Sequence, residues 1–362
     1  MFSLRDKDLV NQIMARIHDI QQQYTFMHVC GTHQDTLVKH GIEPLLEKSG
    51  IRIIQGPGCP VCVTSTREIE EMISLATEGK TVTSFGDMIQ VPGESSSLQY
   101  MRTEGCDVRT VYSIQDAVGI AKKHPNKEVV FMAVGFETTA PSTAVTLMSK
   151  PPENFSILSC HRLIPPALLM IVEMGEVNLD GFIDPGHVST IIGTKPYEFL
   201  SSDYHIPQVV AGFEPVDLVM AVWMLVKQNQ DKIARVDNEY ERAVQQNGNK
   251  KAQEAMNTVF DAINVSWRGF PVIASSGLEL SNEFDDFNAR KRYEDELTEV
   301  QEKEFTEPTG CRCGELLRGI ISPSDCPLFR TKCTPDHPIG PCMVSVEGSC
   351  NIMFKYGVND NK

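Results

Sequence analysis

The stretch Ile51-Arg52-Ile53-Ile54-Gln55-Gly56-Pro57-Gly58-Cys59-Pro60-Val61-Cys62-Val63-Thr64-Ser65 reads as a strand that passes through a tight turn into a helix. The apolar run predicts a buried strand, and Gly-Pro-Gly permits a turn that residues carrying a Cβ resist. Ser65 and Glu68 have capping-box spacing, which predicts a helix from there to Gly79. The preceding segment repeats this grammar. Residues 24–29 predict a strand leading into Cys30-Gly31, and Thr32 and Asp35 predict a helix start, with the helix ending near Gly41. Strands near 81–85 and 108–112 continue the alternation, so the pattern is βαβ with a parallel sheet.

The alternation restarts near residue 126. Residues 128–134 read as a buried strand, 135–141 as a turn, and a helix follows. Further strands are expected at 156–159, 181–183 and 208–211, with a closing helix over 216–227. The fold class is therefore α/β, with two tandem Rossmann-like parallel-sheet domains over 23–125 and 126–229. A third α+β iron–sulfur domain, helical and Cys-rich, is expected over 230–362. The helix within residues 1–22 is expected to pack on that third domain. A long polar helix is predicted across 234–260, and the acidic stretch 279–304 reads as a solvated helical face.

At 362 residues the chain exceeds one ordinary core. Its net charge of -15 argues against nucleic acid as a partner, because phosphate binding needs a basic field. No apolar run approaches the roughly 18–20 residues that span a bilayer, so no membrane association is expected. The N-terminus carries acids among its bases with no apolar core behind them, so the expectation is a cytoplasmic protein without a signal peptide. In a reducing compartment eleven cysteines serve better as metal ligands or redox thiols than as a disulfide framework.

The Cys59-x-x-Cys62 spacing lets two sulfurs converge on one metal or close a small disulfide ring. The bland alternative is two small buried hydrophobes at a turn. Cys30 also stands between a strand and a helix. Neighbouring loops at the carboxyl ends of parallel strands share a crevice, so Cys30 should face the pair. Three thiols with His33 nearby suit a soft-ligand metal, and helix starts should raise their thiolate character. His33 reads equally well as an ordinary helix-start histidine.

Toward the C-terminus, Cys311, Cys326, Cys333 and Cys350 offer four thiolates, the ligand set of a [4Fe–4S] cluster. Cys313 and Cys342 are spare: either can replace an assigned ligand or act as a redox partner. Structural zinc competes, although zinc sites usually show two tight pairs and only Cys311/Cys313 is close here. Glu137, His187 and Glu214 lie on glycine-bearing loops that either line a cleft or serve turn chemistry alone. Cys106 and Cys160 read as core thiols. No Walker motif or G-x-G-x-x-G is present.

Four runs together, 26–33 (FMHVCGTH), 56–62 (GPGCPVC), 135–141 (GFETTAP) and 310–314 (GCRCG), resemble the HypD family of hydrogenase maturation factors. The resemblance extends from about residue 10 to the end. It implies a scaffold, working with HypC, on which the Fe(CN)2CO centre of [NiFe] hydrogenase is built. Cyanide would come from HypE, charged by HypF, and the hydrogenase large subunit would be served indirectly. It implies a mononuclear iron held by Cys30, with Cys59 and Cys62 as further ligands or a redox pair, and a [4Fe–4S] cluster on Cys311, Cys326, Cys333 and Cys350. In chemical roles, Cys59, Cys62 and His33 are the catalytic candidates. Position 34, often Glu in the family, is Gln34 here. The competing classes are a thiol–disulfide oxidoreductase resembling ferredoxin–thioredoxin reductase and a zinc-stabilised binding module.

Overall fold

A computed structural model describes residues 6–94 and 96–357. It contains two sheets that are mainly parallel. The first is built from β1 (Tyr24–His28), β2 (Ile51–Gln55), β7 (Gly181–Pro185), β8 (Gln208–Ala211) and β9 (Val236–Asn238), in the order β2-β1-β7-β8-β9. The second contains β3 (Thr81–Ser84), β4 (Val108–Thr110), β5 (Val129–Gly135), β6 (Phe155–Arg162), β10 (Phe260–Ser266) and β11 (Val272–Leu280), in the order β10-β11-β6-β5-β3-β4. Only the pairings of β11, with β10 and with β6, are antiparallel.

The mixed α/β class with parallel sheets is as expected, but the strands do not divide at residue 125. The chain leaves the first sheet after β2, builds β3 to β6 in the second, and returns at β7. Seven-residue β5 is buried along its whole length and pairs with β6 from Val129↔Phe155 to Gly135↔His161. A strand covered on both faces has no polar side to mark its neighbour, so pairing order is not legible in its sequence. One buried cluster joins Met27, Ile54 and Phe182 of the first sheet to Val82, Val130 and Leu158 of the second.

The N-terminal helix, Lys7–His18, does not pack on the Cys-rich region. Its apolar stripe (Val10, Ile13, Met14, Ile17) buries against helix Pro215–Asp231, within the core of the first sheet. Residues 234–260 are also not one helix. They form β9, turns, and helix Lys250–Val259 before β10. Only ten of those residues have the amphipathic spacing that survives as helix; Gly248 has φ 59° and ends the preceding turn. The acidic stretch contributes two short helices, Ala289–Arg292 and Glu294–Glu302. Glu279, at its start, lies in β11 and pairs with Arg290 at 3.0 Å. Among the described residues no helix is long and apolar enough to cross a membrane.

Candidate functional site

The register of the first sheet sets the site. His28↔Gln55 aligns β1 and β2, which end level, and His28↔Ile183 aligns β1 with β7, which runs on to Pro185. Cys30 and Cys59 emerge just beyond those ends. Gly56 N–H donates to the His28 carbonyl oxygen (2.8 Å) and Gly31 N–H to that of Gly58 (3.4 Å), which stitches the two thiol loops together. Gly58 presses against the other loop so closely that a Cβ there would stand 2.1 Å from the Val29 carbonyl carbon and 2.2 Å from Cys30 N. Only glycine allows this approach.

Cys59 and Cys62 are bonded to each other and fully buried. Cys59 caps the short helix Pro60–Val63, its Sγ accepting from the Cys62 N–H at 3.2 Å. The helix Thr66–Thr77 behind them starts with the expected reciprocal capping box of Ser65 and Glu68. Glu68 does a second job: it pairs with Arg162 of β6 at 2.6 Å, both buried, and Arg290 binds Glu71 at 2.9 Å. These ion pairs anchor the helix behind the thiol loop to the second sheet. Burial opposes ionisation of Glu68, but Arg162 and Arg290 override it and hold its carboxyl below the usual range.

Cys30 departs from expectation in one respect. Its helix, Gly31–Lys39, begins at Gly31 with Cys30 itself as the extended N-cap and no capping side-chain bond, rather than at Thr32. The thiol is not shifted toward thiolate. Burial pushes it up to about 11, with the Glu347 carboxylate adding to the rise, against the N–H groups of His33 and Thr32. Desolvation outweighs the helix start when the sulfur is closed off from water.

His33 is buried, with Nε2 3.3 Å from the Ala211 carbonyl oxygen of β8, and burial lowers its pKa to about 3. It is a neutral ring that packs 5.2 Å from Phe213, which also stacks on His187 at 3.8 Å. His28 is likewise neutral, lowered to about 4 by burial, and its Nε2 lies 2.6 Å from Gln34 Oε1. An uncharged glutamine suits an uncharged imidazole at that position. Glu214 closes a capping box with Asp217 at the start of helix Pro215–Asp231. Glu137 accepts from Ile164 N–H at 3.0 Å, and burial raises it to about 7.

Sequence reasoning missed three neighbours of this crevice. Tyr197 is buried and 3.2 Å from Ser189; burial raises its pKa, and Asp184, Glu137 and Cys30 all bear on it. Asp184, at the end of β7, is buried with both oxygens unpartnered and shifted upward by burial. Glu347 comes from the far C-terminal turn. Asp184 is adjacent to the glycine-bearing loop already noted at 185–188, which was the available signal; nothing local marks Glu347.

The C-terminal cysteines separate into two sets. Cys313 and Cys342 are bonded to each other. Cys311, Cys326, Cys333 and Cys350 are free and line one cavity with Leu316 and Phe329, and the bonded Cys313 and Cys342 form part of the same wall. Two of the four, Cys311 and Cys350, register the nearness of the others. Burial pushes Cys311 up to about 11, with Cys326 and Cys333 contributing, and burial raises Cys350, with Cys333, Cys311 and Cys326 contributing. Arg330, at φ 58°, donates to the carbonyl oxygens of Met353, Phe354 and Gly357 and so ties the loop bearing Cys326 and Cys333 to the helix bearing Cys350. Among the described residues, no three His, Cys, Asp or Glu side chains already converge as a single-ion site. Four thiols around a cavity are instead the donor set of a multi-iron cluster, in which each sulfur meets a different metal atom. The four free thiols therefore suit a [4Fe–4S] group in donor type and number.

A family model named HypD, described as "Hydrogenase formation hypA family", matches residues 6–357. The chain is 48% identical to a putative hydrogenase expression/formation protein of Methanocaldococcus jannaschii, over 98% of this chain and 99% of that one. It is 41% identical to the hydrogenase maturation factor HypD of Cupriavidus necator (98% and 96% covered) and 40% identical to that of Escherichia coli (91% and 88%). The chain belongs to the HypD family.

Proposed function

We propose that this HypD-family chain, a hydrogenase maturation factor, is the scaffold on which an Fe(CN)2CO unit is assembled. HypC would be its partner, HypE (charged by HypF) the cyanide donor, and the hydrogenase large subunit the eventual recipient. The iron is cargo, held by Cys30 with Cys59 and Cys62 at hand. One observation supports this reading: Gly58 is seated on the Val29–Cys30 peptide, which brings the loop of Cys30 against the loop of Cys59 and Cys62 beyond the ends of β1 and β2. A thiolate set suits an iron that also carries strong-field diatomic ligands.

In this closed form the Cys30 proton must leave as iron binds, since only the thiolate is a ligand. Release of cyanide from an S–CN donor requires two electrons. The Cys59/Cys62 dithiol supplies them in closing its disulfide: two S–H bonds break, one S–S bond forms, and the donor leaves as thiol and hydrogen cyanide. His33, neutral and hydrogen-bonded to β8, positions the helix behind Cys30. Cys311, Cys326, Cys333 and Cys350 would hold the [4Fe–4S] cluster, which when bound supplies one-electron redox chemistry.

The test is to purify Cys59→Ala and Cys62→Ala variants anaerobically with HypC. Loss of the infrared bands of iron-bound cyanide and carbon monoxide is expected in both; bands at full strength in both would refute the dithiol role. Metal analysis of the parent should give about four irons or more per chain, and zinc in their place would refute the cluster assignment. A thiol–disulfide oxidoreductase is the second reading, favoured by the Cys313–Cys342 bond beside the four-thiol cavity. Catalytic turnover of a protein disulfide, without retained iron, would establish it instead.

A further inference from the structure

The turn at 345–348 lies directly over the first thiol motif. A Cβ on Gly31 would stand 2.5 Å from Glu347 Cβ and 2.7 Å from its carbonyl oxygen, so the turn is in van der Waals contact with the residue after Cys30. Cys30 is left 7% exposed. The turn is tethered on both sides. Upstream is helix Pro341–Val344, whose Cys342 is bonded to Cys313. Both halves of that bond, on helices Pro341–Val344 and Cys313–Leu317, pack against the helix Pro60–Val63. Downstream, helix Ser349–Tyr356 packs on helix Gly31–Lys39, and Ser349 donates to Gln55 at the end of β2. Two lighter contacts complete it: Val346 N–H donates to Asp87 at 3.2 Å, and Asn351 Nδ2 to the Met343 carbonyl oxygen at 2.8 Å.

We infer that residues 345–348 are a strap that closes Cys30 from solvent, and that the Cys313–Cys342 bond is the catch that holds it. The inference rests on the reading of Cys30 as the cargo ligand. A dithiol reductant would open the catch. It transfers two electrons and two protons to the S–S bond, giving two thiols on this chain and one disulfide on the reductant. The strap is then tethered upstream by packing and two hydrogen bonds alone. Cys30 opens to an incoming iron donor. Exchange with a protein disulfide then re-forms the Cys313–Cys342 bond, two S–H bonds on this chain giving one S–S bond while the oxidant's S–S bond becomes two thiols, and the strap closes over the loaded site. A disulfide that acts this way suits a reducing compartment, where protein disulfides are usually transient. It also explains why a segment so distant in sequence carries an acid that bears on Cys30.

The experiment measures alkylation of Cys30 by iodoacetamide, read by peptide mass spectrometry, on the full chain. A Cys59→Ser/Cys62→Ser background leaves Cys313–Cys342 as the bond that dithiothreitol reduces. Reduction is expected to speed Cys30 labelling at least about tenfold. The ceiling is roughly a few hundredfold, from the loop entropy of a bond spanning a sequence separation of 29. Cys160, 1% exposed in the core, is the internal control and should stay unlabelled. Cys342→Ser should label Cys30 fast without reductant. Gly31→Ala, whose methyl displaces Glu347, should do so with the bond intact. Equal Cys30 rates before and after reduction overturn the proposal, as does Cys160 labelling in step with Cys30. Either result leaves iron binding at Cys30 standing, and loss of the infrared bands with fast labelling leaves the strap standing.

Discussion

Replacing Gly58 with Ala puts one methyl group where two backbones already touch. The new Cβ would lie 2.1 Å from the Val29 carbonyl carbon and 2.3 Å from its oxygen, against about 3.4 Å for a tolerable contact. The loops must separate by more than 1 Å, and no side-chain rotation can absorb that, because the obstacle is main chain. The Gly31–Gly58 hydrogen bond, already 3.4 Å long, is lost with it. The cost falls at the top of the overpacking range, about 3 kcal/mol, which lowers Tm by about 4 °C for a chain of this size. Gly119 is the matched control. It lies inside helix Ile114–Lys123, and a Cβ there meets nothing within 4 Å. Gly119→Ala should raise stability by about 0.5–1 kcal/mol. Thermal melts followed by circular dichroism compare the two, and iron content after anaerobic purification reports on the site. If Gly58→Ala melts with Gly119→Ala and retains iron, the close approach of the thiol loops is not what builds this crevice.

Removing the Glu68 charge by Glu68→Gln leaves Arg162 buried without its carboxylate and should cost about 3–5 kcal/mol by urea unfolding; a loss under about 1 kcal/mol would show that Arg162 finds another partner. Glu137 is shifted up to about 7 by burial, so the folded state holds a proton that the unfolded chain releases near 4.5. Its stabilising contribution is complete below about 4.5 and is lost as pH rises toward 7, worth at most about 3 kcal/mol. Urea midpoints should therefore fall between pH 5 and pH 7.5 less steeply in Glu137→Gln than in the parent, and identical slopes would refute the shift. Arg330→Ala removes three carbonyl contacts to the C-terminal helix and should lower iron retention more than it lowers Tm; unchanged iron content would detach Arg330 from the cavity.

The local grammar of the chain was readable in one dimension. Strand, glycine turn, thiol and helix start follow each other in sequence at Cys30 and at Cys59, and the Ser65–Glu68 box needs only a spacing of three. The sequence also marks out a run of cysteines among prolines and glycines with little hydrophobic core of its own, and the structure gathers four of them, unbonded, around one cavity. Three-dimensional closure settled what spacing left open. The bond from Cys313 to Cys342, across a sequence separation of 29 that no local pattern carries, leaves Cys311 as the free thiol of the Cys311/Cys313 pair. The return of β7 beside β1 brings Asp184 to the crevice, because a fully buried strand has no distinguishing face to name its neighbour. Thiolate character at Cys30 was predicted from the helix start and reversed by burial under Glu347, because desolvation depends on everything that surrounds the sulfur, including residues more than three hundred positions away.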